Sequence, residues 1–473
     1  MKVSTREAVV EGTRPAYNTQ YLAAFSASMG AMAVGAAIGY SSPATAAFRC
    51  HNSTENDTSG DLYLTEEERG WFAGTLSIGA LLGCMLAGLS INNIGRRGTM
   101  LVSVLPLMVG WLLIGLAENL AMLICGRLLC GLCTGISSLV VPTYTTEYAS
   151  KDIRGALGSG FQLFVTVGIL YAYVLGTVVE WRLLAAICAA LGLIFLLLAA
   201  FLKESPNYLL AKGKEKQARK SMQYFRGQTY NIDKEMAELK LFLEESCKAK
   251  VSLWDLTTPY ILKPLLITLA LMIFQQLAGV NAVIYNIIII FKDSGINMSE
   301  DVSTIIVGIV QVLATAASAF LIDRIGRKFL LSLSSGVMSV SIMALGVFFF
   351  EKSQDQEWAA SYLGWLPLTS LMVFISAFSI GYGPIPWLMM GELFYPSVKE
   401  VAGSIATTIN WTCVFIITFT FEPLQDALGD YGVYWLFGSF CAINFVFCVT
   451  LVPETKGRTL QETTAYFGGP GPE

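Results

Sequence analysis

The sequence predicts an all-α membrane protein of twelve transmembrane helices arranged in two six-helix, pseudo-symmetric halves. Three observations carry that prediction. The chain of 473 residues is 54% hydrophobic and 14% charged, with a mean hydropathy of +0.58, whereas soluble domains carry about 25% charged residues. Twelve apolar segments follow one another, each near the ~20 residues that cross a hydrocarbon core. Short charged motifs recur in the same order in both halves of the chain.

The segments span roughly 21–43, 70–91, 99–117, 121–144, 156–178, 183–202, 260–291, 301–322, 329–350, 364–390, 401–421 and 432–452. A polar tail, 1–20, precedes them, without the short apolar core and small-residue cleavage site of a removable signal peptide. The stretch 203–258 divides them six and six; its mixed-charge run from Lys212 to Lys250 predicts short amphipathic helices on a membrane surface. The expected units are thus an N-terminal bundle, 21–202, a linker, 203–258, a C-terminal bundle, 259–452, and a tail, 453–473.

Orientation follows from Lys and Arg. With both termini cytoplasmic, 25 of the 31 fall in inside segments, and Arg49, Arg69, Arg182, Lys292 and Lys352 fall outside, which satisfies the positive-inside rule. The sequons at Asn52, Asn56 and Asn297 then lie in outside loops, as glycosylation acceptors would. Of the ten cysteines only Cys50 falls in an outside loop, so no extracellular disulfide is expected.

The repeats are specific. Asn92-Asn93-Ile94-Gly95-Arg96-Arg97 is matched by Asp323-Arg324-Ile325-Gly326-Arg327-Lys328, the pair Glu147…Arg154 by Glu392…Lys399, and Lys203-Glu204-Ser205 by Pro453-Glu454-Thr455. Each follows the second, fourth or sixth segment of its half, so a six-helix unit has been duplicated, the plan of transporters that bind at the interface between repeats. The arginines and Lys399 of these motifs are expected to pair with Glu147, Glu204, Asp323, Glu392 and Glu454 in a charged ring. Such a ring would hold the two halves together at the inner end and part as the site opens; plain topology signalling is the simpler alternative.

Phe274 to Asn286, inside the seventh segment, carries Gln275, Gln276, Gly279 and Asn281. An amide facing lipid lacks a partner and costs several kcal/mol, so these face protein, water or ligand. Having no charge, they suit a polyhydroxylated neutral ligand, whose hydroxyls donate and accept as amides do. On a straight helix Gln275 and Asn281 would point about 120° apart, so a break near Gly279 is expected, with Tyr285 one turn on as an outer lid. In the tenth segment, Gly383-Pro384-Ile385-Pro386 removes two backbone donors and clashes with the preceding turn. A kink or hinge near Trp387 is therefore expected, moving during alternating access, with a static kink as its alternative. Arg127, the strongly basic residue of the fourth segment, is expected to snorkel toward the outer interface.

With these motifs in place the chain resembles the sugar porter family of the major facilitator superfamily, the facilitative glucose and trehalose transporters. The resemblance spans nearly the whole chain. It rests on the two Gly-Arg-Arg/Lys loops, Gly126-Arg127, Glu147 with Arg154-Gly155, Glu204-Ser205-Pro206, Gln275-Gln276-Leu277, Asn281, Gly383-Pro384-Ile385-Pro386-Trp387, Asn410-Trp411 and Pro453-Glu454-Thr455-Lys456-Gly457. Gly39-Tyr40-Ser41-Ser42-Pro43 resembles the branch holding intracellular-type glucose transporters and insect trehalose transporters. The resemblance implies the major facilitator fold and sugar contacts at Gln162, Gln275, Gln276, Asn281, Gln311, Trp387 and Asn410. Gln311 stands where many members carry asparagine, Ser379 where several carry a glutamate, and Asn92-Asn93 where Asp-Arg is usual.

Absences shape the expected mechanism. The one histidine, His51, lies in the first outside loop, and Ser41 occupies the position where proton-coupled members carry an aspartate. Proton coupling usually needs a buried titratable group, so uniport of a hexose or trehalose is expected, with a proton symporter or a sugar sensor as alternatives. No nucleophile, metal-ligand or phosphate-loop constellation points to an enzyme or a cofactor. The expected partners are the sugar and the bilayer, not nucleic acid, with the monomer as the working unit in the plasma membrane.

Overall fold

The protein is described by a computed structural model covering residues 15–49, 62–150, 152–248, 258–294, 299–394, 396–456, 462 and 465–468. The helices are α1 (Asn18–Gly39), α2 (Ser41–Arg49), α3 (Glu66–Gly115), α4 (Leu120–Tyr148), α5 (Arg154–Gly176), α6 (Trp181–Phe201), α7 (Pro206–Ala211), α8 (Glu215–Arg226) and α9 (Asp233–Lys248). The second half holds α10 (Pro259–Leu277), α11 (Val280–Ser294), α12 (Glu300–Ile325), α13 (Arg327–Gln354), α14 (Gln356–Leu363), α15 (Leu366–Ala377), a π-turn (Phe378–Tyr382), α16 (Ile385–Leu393) and α17 (Pro396–Thr450).

Ten stretches among the described residues are long and apolar enough to cross a membrane. Two of them, Glu66–Gly115 and Val401–Thr450, run to 50 residues each. A straight helix of that length would measure about 75 Å against a hydrocarbon core of about 30 Å. Each is therefore two crossings, parted at Gly95 (φ 82°) and at Gly429 (φ 73°), and the crossings among the described residues number twelve. The sixth brings the chain back to the end where the first began; this end, with the start of α1, the end of α17 and α7–α9, is the near end, and its opposite the far end.

The near end is organised by the repeats, almost atom for atom. At Gly95 and Gly326 (φ 111°) the backbone adopts a conformation open to glycine, and a helix restarts with unpaired N–H groups. The Glu204 carboxylate accepts from the Arg96 and Arg97 amides at 3.0 and 3.2 Å, and Glu454 from those of Arg327 and Lys328 at 3.0 and 3.1 Å. A carboxylate at a helix start also meets the positive end of the dipole. Arg96 then reaches Glu147 through Nε at 3.0 Å, as Arg327 reaches Glu392 at 3.0 Å. Ser205 donates to Glu147, and Thr455 to Glu392 at 2.6 Å.

All of these bonds run within one half. The expected ring holding the halves together is thus two separate rings, each joining the near ends of the second, third, fourth and sixth crossings of its own half. The Arg97 guanidinium donates to the Ala200 carbonyl at 2.6 Å and that of Arg154 to the Ala149 carbonyl at 3.2 Å, so neither side chain takes the glutamate partner expected of it. The side chains of Asp323 and Lys399 lie outside the described residues, as do Asn52, Asn56 and Asn297.

The stretch 203–258 forms the short helices expected of it, α7–α9, among its described residues. They close a small core of their own from Leu209, Ala218, Met222, Ile232 and Met236 and dock on the N-terminal half. Phe225 stacks on Tyr148 at 4.6 Å, and Arg226 donates to the Tyr148 carbonyl at 2.7 Å. Gln20, fully buried, bonds the Phe225 carbonyl, the Ser150 hydroxyl and the Ser150 amide at 2.8–2.9 Å.

The halves meet along α3–α17 and α5–α12. At the far end they are closed: Tyr173 of α5 donates to the Ile284 carbonyl at 2.8 Å, and the Ser42 hydroxyl accepts from the Ile288 amide at 3.2 Å. At the near end, space opens around α5, where a Cβ built on Gly155, Gly158 or Gly160 would meet no atom within 4 Å.

Candidate functional site

Two breaks in membrane helices build the site. The first separates α10 from α11 at Ala278-Gly279, as the position of Gly279 in the sequence predicts. Gly279 has φ 80°, and a Cβ there would stand 2.4 Å from the Phe437 ring, so both backbone and packing require glycine. With the helix restarted at Val280, the Asn281 amide donates to Gln276 Oε1 at 2.6 Å.

The second break lies earlier than predicted. The chain passes from α15 into the π-turn, closed by the Gly383 N–H on the Phe378 carbonyl at 2.7 Å, and α16 restarts beyond Pro384. Trp387 therefore sits within regular helix after the break, not at it. Pro386 has no N–H for the carbonyl four residues back, that of Tyr382. Gln275 supplies the missing donor, its Nε2 reaching the Tyr382 carbonyl at 2.8 Å and the Gly383 carbonyl at 3.0 Å. The amide of one broken helix thus completes the backbone of the other.

Asn410, on the first crossing of α17, joins the two. Its Nδ2 donates to Gln275 Oε1 at 2.9 Å and its Oδ1 accepts from Gln276 Nε2 at 3.3 Å. Gln276 Nε2 is shared with Gln275 Oε1, also at 3.3 Å. Gln275, Gln276 and Asn410 are 3–4% exposed, so their mutual bonds remove a desolvation cost of about 1–3 kcal/mol for each unsatisfied group. The two shared contacts at 3.3 Å exceed the usual ~2.9–3.0 Å.

Of the seven positions expected at the site, these four form one network. Gln311, buried on α12, Gln162, half-buried on α5, and Trp387, half-buried on α16, are not bonded into it. The Tyr382 and Gly383 carbonyls belong to the site as backbone groups, which residue type does not announce. Asn444, which the sequence reading passed over, supports the π-turn by accepting from the Tyr382 hydroxyl at 2.7 Å; as an amide within the last apolar segment it was visible in the sequence.

Tyr285 is fully buried on α11, and its hydroxyl approaches Ser77 of the opposite half without closing a hydrogen bond. Arg127 does not snorkel. It is 0% exposed, donates to the Ala37 carbonyl at 2.7 Å, to the Phe72 carbonyl at 3.3 Å and to the Ser41 hydroxyl, and lies 4.9 Å from the Phe72 ring centroid. Carbonyls, a hydroxyl and a π-face solvate this cation in place of water.

Residues 8–467 match the family described as "Sugar (and other) transporter". The facilitated trehalose transporter Tret1 of Apis mellifera ligustica is 41% identical over 456 residues, 96% of this chain and 89% of the relative. That of Anopheles gambiae is 40% identical over 453 residues, 95% of this chain but 56% of the relative. Among solved structures, the xylose transporter XylE from E. coli in a partially occluded, inward open conformation superposes with a TM-score of 0.78 at 23% identity, covering 93% of this chain and 99% of that one. The proton:xylose symporter XylE bound to 6-bromo-6-deoxy-D-glucose gives 0.77 at 24% identity, with 95% and 99% covered. The fold is that of the major facilitator superfamily. The chain belongs to the sugar transporter family; it is a multi-pass membrane transporter and not an enzyme.

Proposed function

We propose that this protein moves a neutral sugar, trehalose or a hexose, across its membrane by facilitated diffusion. The observation that carries this reading is the uncharged amide network Gln275–Gln276–Asn281–Asn410 at the meeting of two broken helices. It offers donors and acceptors in pairs and no ionised group to a ligand. Gln162, Gln311 and Trp387 would complete the contacts once sugar draws the halves together, Trp387 by its apolar ring face.

The relatives support trehalose, since those named above are facilitated trehalose transporters. Uniport is supported by Ser41, a neutral hydroxyl bonded to the fully buried cation Arg127, so that the pair has no proton to exchange. In the cycle the halves, 21–202 and 259–452, rock about their seams. Tyr285 closes the far side, the breaks at Gly279 and Pro384–Pro386 flex, and the near-end rings, with Arg154 and Lys399 at their margins, keep each half rigid. The Lys and Arg distribution favours cytoplasmic termini, an orientation that puts the sequons Asn52, Asn56 and Asn297 outside, where glycosylation is proposed; the plasma membrane is the proposed location. The monomer contains a whole site and is the proposed working unit.

Counterflow in proteoliposomes with labelled trehalose, glucose, fructose and xylose tests the reading. Exchange of at least one sugar, unchanged when the pH gradient is collapsed, is the expected result. Absence of exchange for all of them overturns the sugar assignment, and loss of uptake with the gradient establishes proton coupling instead.

A further inference from the structure

The far end holds an ion pair between the two halves that neither the repeats nor the sugar site explains. Arg69 lies in the first turn of α3, next to a capping box in which Thr65 and Glu68 bond each other's amides at 3.3 and 2.8 Å. Its side chain is 7% exposed and donates to the Leu64 carbonyl at 3.0 Å. It also reaches Glu422 Oε1 at 3.3 Å, on a carboxylate 16% exposed. Glu422 belongs to α17, in the opposite half. A second acid, Glu66, stands 3.9 Å from the guanidinium but is 59% exposed.

The pair sits at the edge of a close apolar contact. Trp71 packs on Phe419 with ring centroids 4.8 Å apart, and a Cβ on Gly74 would come within 3.1 Å of the Phe415 ring. Arg69 and Glu422 can meet only while this seam is shut. Beside the other seam, α5–α12, the Tyr173 hydroxyl of α5 bonds the Ile284 carbonyl of α11 at the same end.

We propose that Arg69 and Glu422 form a latch that biases the transporter toward the state closed at the far end. The inference rests on alternating access but not on which sugar is carried. When the seam parts, both charges regain water, so much of the lost attraction is returned as hydration. The pair therefore shifts the equilibrium between states without locking it.

The test needs a reporter behind the seam. Ser77, on α3, is fully buried between the halves. Ser77→Cys, in sealed vesicles, is labelled from the far side with a membrane-impermeant methanethiosulfonate, the parent without this change giving the background. Glu422→Gln, which keeps the shape and removes the charge, is expected to raise the labelling rate about fivefold or more, the lower range of couplings between states. Arg69→Gln should act in the same direction. The exchange Arg69→Glu with Glu422→Arg should restore the slow rate.

An unchanged rate in Glu422→Gln overturns the latch, as does an exchanged pair that labels as fast as the single variants. If Ser77→Cys reacts in no variant, the far-side opening is itself absent and the latch falls with it. Because no sugar enters the measurement, failure of the substrate assignment leaves this result standing.

Discussion

The near ends of the two halves are built alike, and their centres are not. At the near end Arg96, Glu147, Glu204 and Ser205 are reproduced by Arg327, Glu392, Glu454 and Thr455, bond for bond. At mid-membrane the C-terminal half has two broken helices and a network of amides; the N-terminal half has instead a sealed arginine, Arg127, which lies toward the far end beside Ser41. What stayed symmetric after duplication is the bonded frame at the near end of each half. What diverged is the part that, in the function proposed above, touches substrate. That proposal concentrates recognition on one half.

The largest effects should come from breaking the symmetric frame. Arg96→Ala leaves Glu147 partly buried without its cation, and Arg327→Ala does the same to Glu392. Removing one member of a buried pair costs about 3–5 kcal/mol; the side chains here are 11–27% exposed, so the lower figure applies. The loss should be similar in both halves by thermal unfolding in detergent. A large loss in one and none in the other would break the comparison.

Gly95→Ala and Gly326→Ala attack the same frame through the backbone. A Cβ would lie 2.4 Å from the Glu204 carboxylate in one case and 2.8 Å from that of Glu454 in the other, on backbones at positive φ. Each should cost about 1–3 kcal/mol, the usual strain at such a site, with Gly95 the more sensitive. Equal or absent effects would show that the carboxylates give way freely.

At the divergent centre the effect should fall on function rather than fold. Gln276→Leu and Asn281→Leu each remove bonds worth about 0.5–1.5 kcal/mol net, so sugar affinity should fall three- to tenfold while the unfolding temperature moves little. Gln275→Leu differs, because it also strips the donors from the Tyr382 and Gly383 carbonyls. It should lower stability by about 1–3 kcal/mol and transport with it. If Gln276→Leu proves as destabilising as Gln275→Leu, the division between recognition and hinge support does not hold.

The smallest effect is expected from Tyr173→Phe, which deletes one far-end bond between the halves. About 1 kcal/mol corresponds to a shift of roughly fivefold toward the far-open state, readable as altered sidedness of inhibitor binding. No shift would mean that apolar contact alone holds that seam.

The sequence by itself determined the twelve crossings, the duplication and the identity of the polar residues that cannot face lipid. These follow from local rules: an apolar run must be about one membrane thick, and an intramembrane amide must find a partner. Gly279 was legible as a break because glycine and amides coincide within a few residues. Sequence did not disclose which partner each group takes, since a hydrogen bond joins residues more than a hundred positions apart, as Gln275 joins Tyr382 and Asn410.

The tertiary structure alone decided that the charged rings close within halves, because a carboxylate serves whichever helix start lies nearest in space. It placed the second break at the π-turn, where a distant glutamine could replace the donor that Pro386 lacks. It also buried Arg127: enough carbonyls and hydroxyls converge from α1, α2 and α3 to solvate a cation that the sequence, counting only distance to an interface, sends toward water.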